Sequence, residues 1–440
     1  MMGHGGKGPV SKEKLSGRSP IKPLNPRYTC RRQEKIIMFS PCKLALCLSL
    51  LLTLSGCGTL SSMSTDESNF DSRALACRHD LNGEIDRLAT PLIRQNKTPG
   101  LVVGVLTADG KMLSRGYGVT DNYHRYPISG DTLFAVGSVS KGFTAEATVI
   151  MVKRGVLRWE DSLEDLMPKH VRLSERAKKI TLLQLVTHTS GLPRQVMDMQ
   201  MLGRFTEYLF TGKNFYTALD DDRVLSYLAD FHAPADPVPV YSNLGYAILD
   251  YILWLKTGEP IDQLVNQNII QPIGLKNTSF TPEKLKQFPW RAIGHAGDQP
   301  KFIRRGTPIP DWRFSSHMMG AASLYTSADD LLKFAHAHLY PTHNIALDEA
   351  IRDSLKIYYN RSKEAANIAW ITDEIGAQRI TYQVGYIGGY SSYIGLDREH
   401  NIAVVVLQNS FNWNNNLGHR LIQRIGQAMD YRGACPVNPP

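Results

Sequence analysis

The chain has no apolar run long enough to cross a bilayer. Leu44–Leu54 (LALCLSLLLTL) is its candidate, and it holds eleven residues, where a helical span needs about 20. Cysteine is scarce, six in 440 residues, and three of the six fall before residue 57. Nor is there a charge excess where a folded body would carry it. The net +9 is concentrated in residues 1–56, with ten Lys/Arg against Glu13 and Glu34, which leaves 40 Lys/Arg and 39 Asp/Glu beyond. A near-neutral body has no field to collect phosphates, so nucleic acid is excluded as a partner. The 13 histidines show no metal-ligand spacing, and no internal repeat is visible. With 42% hydrophobic residues, 35 Gly and 24 Pro, the composition excludes collagen, coiled coil and wholesale disorder. At roughly 100–200 residues per domain, the length fits two domains or one large α/β unit.

What is present begins with the leader. Leu44–Leu54 follows Lys43 and fits the apolar core of a secretory signal. Leu54-Ser55-Gly56-Cys57 then resembles a bacterial lipobox, with Cys57 as the lipidated residue; the alternative is a plain signal peptide. Met38 starts a conventional leader of 19 residues, Met38–Gly56, which makes residues 1–37 a mis-assigned start. Residues 1–56 are therefore set aside as leader, and 57–80 read as lipidated Cys and flexible tether. The expected location is the bacterial cell envelope, lipid-anchored and facing the periplasm, with Gly58 after Cys57 favouring the outer membrane. Cleavage leaves Cys57, Cys77 and Cys435. In an oxidising compartment the last two, near opposite ends of the body, are candidates for a disulfide.

Along the body, Arg73–Lys97 has helical spacing, with Leu81, Ile85, Leu88, Leu92 and Ile93 on one side. Leu101–Leu106 (LVVGVL) and Lys111–Gly118 read as a hairpin turned at Ala108-Asp109-Gly110. Helices are expected at Gly137–Gly155, Thr181–Val186, Leu244–Leu255, Pro260–Ile270, Ser327–Leu339 and Leu417–Met429. Ile380–Gln383, Tyr390–Leu396 and Ile402–Gln408 read as strands. Strands at both ends and helices between imply an antiparallel sheet covered by helices.

The chemistry starts at Ser138-Val139-Ser140-Lys141. Residues i and i+3 share a helix face, so the Ser138 hydroxyl and the Lys141 amine can meet. A serine is a poor nucleophile until a base takes its proton, and a desolvated amine can be that base. Alone, Ser-x-x-Lys is a weak signal, since a solvated face produces it by chance. Its context, Phe134–Ala145 (FAVGSVSKGFTA), resembles the serine β-lactamase-like family, especially its class C β-lactamase and D,D-peptidase branch. Further landmarks follow in family order over about residues 80–430: Pro99-Gly100, Thr187–Leu192 (THTSGL), Tyr241-Ser242-Asn243, Gly274–Phe280 (GLKNTSF) and Ala322–Leu331 (ASLYTSADDL). The resemblance implies a mixed α/β (α+β) fold, an antiparallel sheet flanked by helices plus a mostly helical subdomain. Residues 81–432 would form that domain and 433–440 a tail. It also implies roles: Ser138 as acylated nucleophile, Lys141 as its base, Tyr241 as proton shuttle. Asn243 would bind both Lys141 and the substrate. His188 reads as a hydrogen-bonded residue holding its turn. No metal or cofactor is needed for such acyl transfer.

The family's third element is Lys-Thr-Gly or His-x-Gly on an edge strand. The literal Lys256-Thr257-Gly258 is a decoy, because it ends the apolar helix Leu244–Leu255. Spacing to Gly388-Gly389-Tyr390 places Gln383, Val384 and Gly385 at the true position. There the Tyr386 backbone N–H would join that of Ser138 in an oxyanion hole, a role that needs no side chain. Gln383 can hydrogen-bond a carboxylate but not pair with it as a charge. The expectation is an intact acyl-transfer engine with weakened grip on anionic groups. That leaves a D,D-peptidase-like enzyme acting on peptidoglycan peptides, an esterase-like hydrolase of small molecules, and a catalytically weak penicillin-recognising or interaction domain. The Met- and aromatic-rich stretch Arg194–Pro239 either walls the cleft or, the blander reading, packs a helical subdomain.

Overall fold

Leu101–Leu106 carries no polar side chain, and it lies where a strand is covered on both faces. The computed structural model describes residues 63, 65, 67–232, 239–314, 316–360 and 364–435. Strand β1 (Gly100–Leu106) is buried at every residue. On one side it pairs with β2 (Met112–Gly118), a half-exposed edge. On the other it pairs with β10 (Ile402–Gln408), again buried throughout. The sheet continues outward through β9 (Tyr390–Asp397), β8 (Gln378–Ile387) and β7 (Ile371–Ile375) to two short strands, β6 (Glu364–Ala366) and β5 (Tyr359–Asn360), antiparallel at every step. Strands β1 and β10, some 300 residues apart in the chain, are thus neighbours, second and third from the β2 edge.

One face is covered by α1 (Ser72–Arg78), α2 (Leu81–Arg94) and a C-terminal helix, Leu417–Met429. Their apolar stripes, Ile85, Leu421 and Ile422 among them, close over Val103, Val404, Val406 and Tyr393. The single helix expected over Arg73–Lys97 is broken at His79, whose φ of 53° leaves the helical region. Asp80 then accepts from Gly83 N at 2.8 Å and starts the second helix as its N-cap. On the other face Leu332, from the helix Ala328–Leu339, comes so close to β1 that a Cβ on Gly104 would lie 3.0 Å from it. The 3₁₀ turn Gly137–Val139 and helix α3 (Ser140–Lys153) stand beside it. In chain order the helical region, including Met199–Thr211 and α4 (Asn243–Thr257), comes between β2 and β5.

Three expectations change. Strand β7 was not foreseen, and β8 is longer than Ile380–Gln383, running through Gly385 to Ile387. The stretch read as tether is docked where it is described: Thr65 and Glu67 are buried, Met63 N donates to Tyr382 Oη at 3.1 Å, and Arg424 bridges Glu67 and Glu84 at 2.7 and 2.6 Å. Opposite charges that satisfy each other under α2 give this segment its seat. The folded body therefore begins upstream of residue 81. At the other end Cys435 is joined to Cys77 of α1 by a disulfide. Residues 1–62, with Cys57 and the leader, lie outside the described residues. Among the described residues no helix is long and apolar enough to cross a membrane.

Candidate active site

Ser138 stands half-buried in the 3₁₀ turn that leads into α3. A two-strand ladder pins that turn: β3 (Phe134–Ala135) pairs with β4 (Tyr325–Thr326), and Val136 N donates to Leu324 O at 3.0 Å. Gly137 takes a φ of 52°, which an L side chain rarely adopts. It lets β8 pass at backbone contact, since a Cβ on Gly137 would sit 3.1 Å from Tyr386 O and one on Gly385 would sit 2.0 Å from Val136 O.

One helical turn on, Lys141 is 1% exposed. Its Nζ lies 3.2 Å from Ser138 Oγ and donates to Asn243 Oδ1 at 2.8 Å and Ala321 O at 2.7 Å. Burial, and then the Arg194 guanidinium, hold the amine well below its ordinary value. With Asn243 Oδ1 and Ala321 O each taking one N–H, the third position of the amine is the one that faces Ser138 Oγ.

The Tyr241-Ser242-Asn243 turn is held from below. Ser242 Oγ caps α4 by accepting from Gly245 N at 2.8 Å and donates to Pro193 O at 2.7 Å. His188, buried and at a φ of 60°, accepts from Ser242 N through Nδ1 at 3.1 Å. Burial, with Lys141 and Arg194 nearby, takes this imidazole down to about 3. It is a neutral acceptor that fixes the turn, as expected. The centroid of the Tyr241 ring lies 4.9 Å from Lys141 Nζ and 5.1 Å from Arg194 Cζ. Its hydroxyl is buried without a hydrogen-bond partner. Burial pushes the phenol up to about 12, with Arg194 and Ser138 acting against that shift.

Asn243 is more committed than expected. While Oδ1 takes Lys141, Nδ2 donates to Tyr216 Oη at 2.8 Å, and Tyr216 in turn donates to Gln195 Oε1 at 2.8 Å. One amide hydrogen of Asn243 is left for a substrate. Tyr216, Gln195 and Arg194 went unnoticed in the sequence as site residues. The Met and aromatic residues of their surrounding stretch are divided: Met201, Tyr208 and Phe215 are buried and pack, whereas Met197, Met199 and Phe210 are exposed.

Position 383 differs from expectation. Gln383 is 3% exposed, and neither amide atom has a hydrogen-bond partner. The amide lies over Gly142, where a Cβ would come within 2.5 Å of Nε2. It does not present itself to the cleft, because the missing side chain at 142 gives it room against α3. Val384 points to the opposite face and packs on the core there. Tyr386 Oη donates to Trp413 O at 3.1 Å, and its ring rests against Phe411 and Trp413. Lys256-Thr257-Gly258 closes α4, Gly258 at a φ of 72° donating to Trp254 O. Among the described residues no cluster of three His, Cys, Asp or Glu could hold a metal ion.

Comparison with known proteins adds to this geometry. The sequence model of the family described as Beta-lactamase matches residues 85–427. A beta-lactamase of Pseudomonas fluorescens is 25% identical over 389 residues, covering 80% of this chain and 99% of that protein. Penicillin-binding protein 4 of Amycolatopsis lactamdurans is 29% identical over 254 residues, 56% of this chain and 60% of that protein, so the chain spans less than two thirds of that relative. The solved beta-lactamase/D-alanine carboxypeptidase of Pseudomonas syringae shares the fold with a TM-score of 0.67 at 20% identity, covering 80% of this chain and 99% of that one. The class C beta-lactamase of Rhodobacter sphaeroides does so at 0.65 and 22%, over 79% and 100%.

Proposed function

Because the chain belongs to the beta-lactamase family, whose serine members are serine hydrolases, we propose that it cleaves amide or ester bonds through an acyl-enzyme on Ser138, as a D,D-peptidase-like or esterase-like enzyme of the cell envelope. The observation that carries this reading is the buried Lys141 amine, 3.2 Å from Ser138 Oγ with its other bonds committed. Lys141 takes the hydroxyl proton as Oγ bonds to the carbonyl carbon. The backbone N–H groups of Ser138 and Tyr386 receive the oxyanion. The C–N or C–O bond then breaks, and Tyr241 hands a proton to the leaving group. Water, deprotonated by the same pair, releases the acid and restores Ser138. Asn243 holds Lys141 and offers its remaining N–H to the substrate. Gly385 lets β8 lie against the backbone at Val136, beside the Ser138 turn, and Gln383 packs over Gly142 behind it.

The test is intact mass and turnover of the full chain, wild type and Ser138→Ala, with benzylpenicillin and with a neutral p-nitrophenyl ester. Ester turnover or a penicilloyl adduct in the wild type alone supports the reading. Equal turnover in Ser138→Ala overturns it. A stable adduct favours the peptidase, and rapid ester turnover without one favours the esterase. Leu54-Ser55-Gly56-Cys57 supports lipid anchoring at Cys57 on the periplasmic side, in the outer membrane. Cys57→Ser would then move the protein from the membrane to the soluble fraction; continued membrane retention counts against the anchor.

A further inference from the structure

Helix α4 carries a carboxyl in its apolar middle. Asp250 is buried there among Ile248, Leu249, Ile252 and Leu253, which are buried too. A polar group in such a place costs stability unless it is hydrogen-bonded. Its partner is a backbone group: Oδ2 accepts from Gly320 N at 2.8 Å. Gly320 belongs to the short helix Met319–Ala322, which packs against both α3 and α4. A Cβ on Gly320 would lie 3.1 Å from Asp250 Oδ2 and 2.9 Å from Thr144 Oγ1, so the missing side chain lets both helices close on this point. On the α3 side two successive carbonyls act as acceptors. Gly320 O takes the Thr144 hydroxyl at 2.8 Å, and Ala321 O takes Lys141 Nζ at 2.7 Å. The residue that Asp250 holds is thus the neighbour of the one that holds the amine. Asn243, two turns earlier on the same face of α4, takes Lys141 Nζ directly through Oδ1 at 2.8 Å.

We propose that Asp250 is a positioning residue for Lys141, acting through Gly320 N to fix the Ala321 carbonyl that the amine needs. Both acceptors of Lys141 are then set from α4, Asn243 Oδ1 by direct contact and Ala321 O through the Met319–Ala322 turn. The third position of the amine stays aimed at Ser138 only while both are in place. The inference rests on the hydrolase reading for its effect on turnover, but the Lys141–Ala321 distance reports on it without turnover. In the full chain, Asp250→Leu fills similar space without an acceptor, whereas Asp250→Asn keeps an amide oxygen for Gly320 N. With the neutral p-nitrophenyl ester, Asp250→Leu should lower kcat about tenfold or more with KM within about twofold, because a small misplacement of a catalytic group is costly. Asp250→Asn should stay within about threefold of the wild type. Crystal structures should show the Lys141–Ala321 hydrogen bond lost in Asp250→Leu and kept in Asp250→Asn. Wild-type kcat in the Leu variant, an equal loss in the Asn variant, or an unchanged Lys141–Ala321 bond in Asp250→Leu would overturn the proposal. Should Asp250→Leu fail to fold, Gly320→Ala disturbs the same bond from its other end and should lower kcat in the same way; full kcat there overturns the proposal too. A wild type without Ser138-dependent turnover would remove the hydrolase, and the crystal distances would still decide whether Asp250 holds Lys141.

Discussion

Two side chains at the site have opposite relations to their surroundings. Tyr216 is fully engaged: its oxygen takes one proton from Asn243 and gives one to Gln195. Tyr216→Phe should lower kcat for ester turnover roughly tenfold, the equivalent of about 1.4 kcal/mol, with KM little changed and the melting temperature within a degree or two. A rise in KM with kcat intact would make it a substrate contact instead of a positioning residue for Asn243. Gln383 is engaged with nothing, and an unpaired buried amide costs about 1–3 kcal/mol. Gln383→Met keeps the length without the polar atoms, so denaturant unfolding should move to higher concentration. A loss of stability would mean that the amide has a partner in solution. Neither relation is written in the sequence. Ser138 and Lys141 are legible because three residues on a helix set their distance. Tyr216 and Arg194 reach the site only through the folding of a long loop, and Gln383 is turned inward by the missing side chain at Gly142, a residue 241 positions away.

At the scale of elements, the approach of β8 to the nucleophile turn depends on Gly137. Gly137→Ala would put a Cβ 3.1 Å from Tyr386 O and from Ile387 Cβ at a φ of 52°. The left-handed conformation alone costs about 1–2 kcal/mol for an L residue. The shift it forces on β8 should lower turnover tenfold or more in the same ester assay; full activity would show that β8 does not set the site's geometry. Elements with a clean pattern were readable: β1 and β10 as unbroken apolar runs, the last helix by Leu417, Leu421, Ile425 and Met429. Asp80 interrupts a pattern that spans it, because spacing of apolar residues does not register a cap. Strand β7 (ITDEI) is too short and too polar to announce itself, and it is a strand because β8 offers it a ladder.

For the whole molecule, buried histidines set how stability follows pH. His188 and His419 are both held to about 3 by burial, in His188 with help from Lys141 and Arg194. Each is neutral in the fold and takes a proton near 6.5 when unfolded. The unfolded chain thus binds more protons between about pH 3 and 6.5, and each histidine adds about 1.4 kcal/mol of stability per pH unit as pH rises. Lys141, also lowered, acts in the same sense. Asp250 opposes them, since burial raises it to about 8 and it keeps a proton that the unfolded chain releases near 3.8. The net expectation is an unfolding midpoint that climbs from about pH 4.5 to 6.5, less steeply in His419→Asn. A flat or falling profile in urea titrations would contradict neutral burial of these rings.

The pairing of β1 with β10 has a consequence for biosynthesis. Leu101 meets Gln408 and Leu106 meets Ala403, so a strand made early waits through some 300 residues of synthesis for its neighbour. Half of the hydrogen bonds of β1 can be met by β2 as soon as the hairpin emerges, but the other edge stays open until β10 has been made. The clasp between Cys77 and Cys435 comes later still, after the final helix. Assembly of this sheet therefore waits for β10, and any truncation before that strand leaves β1 and β9 without the neighbour that joins them.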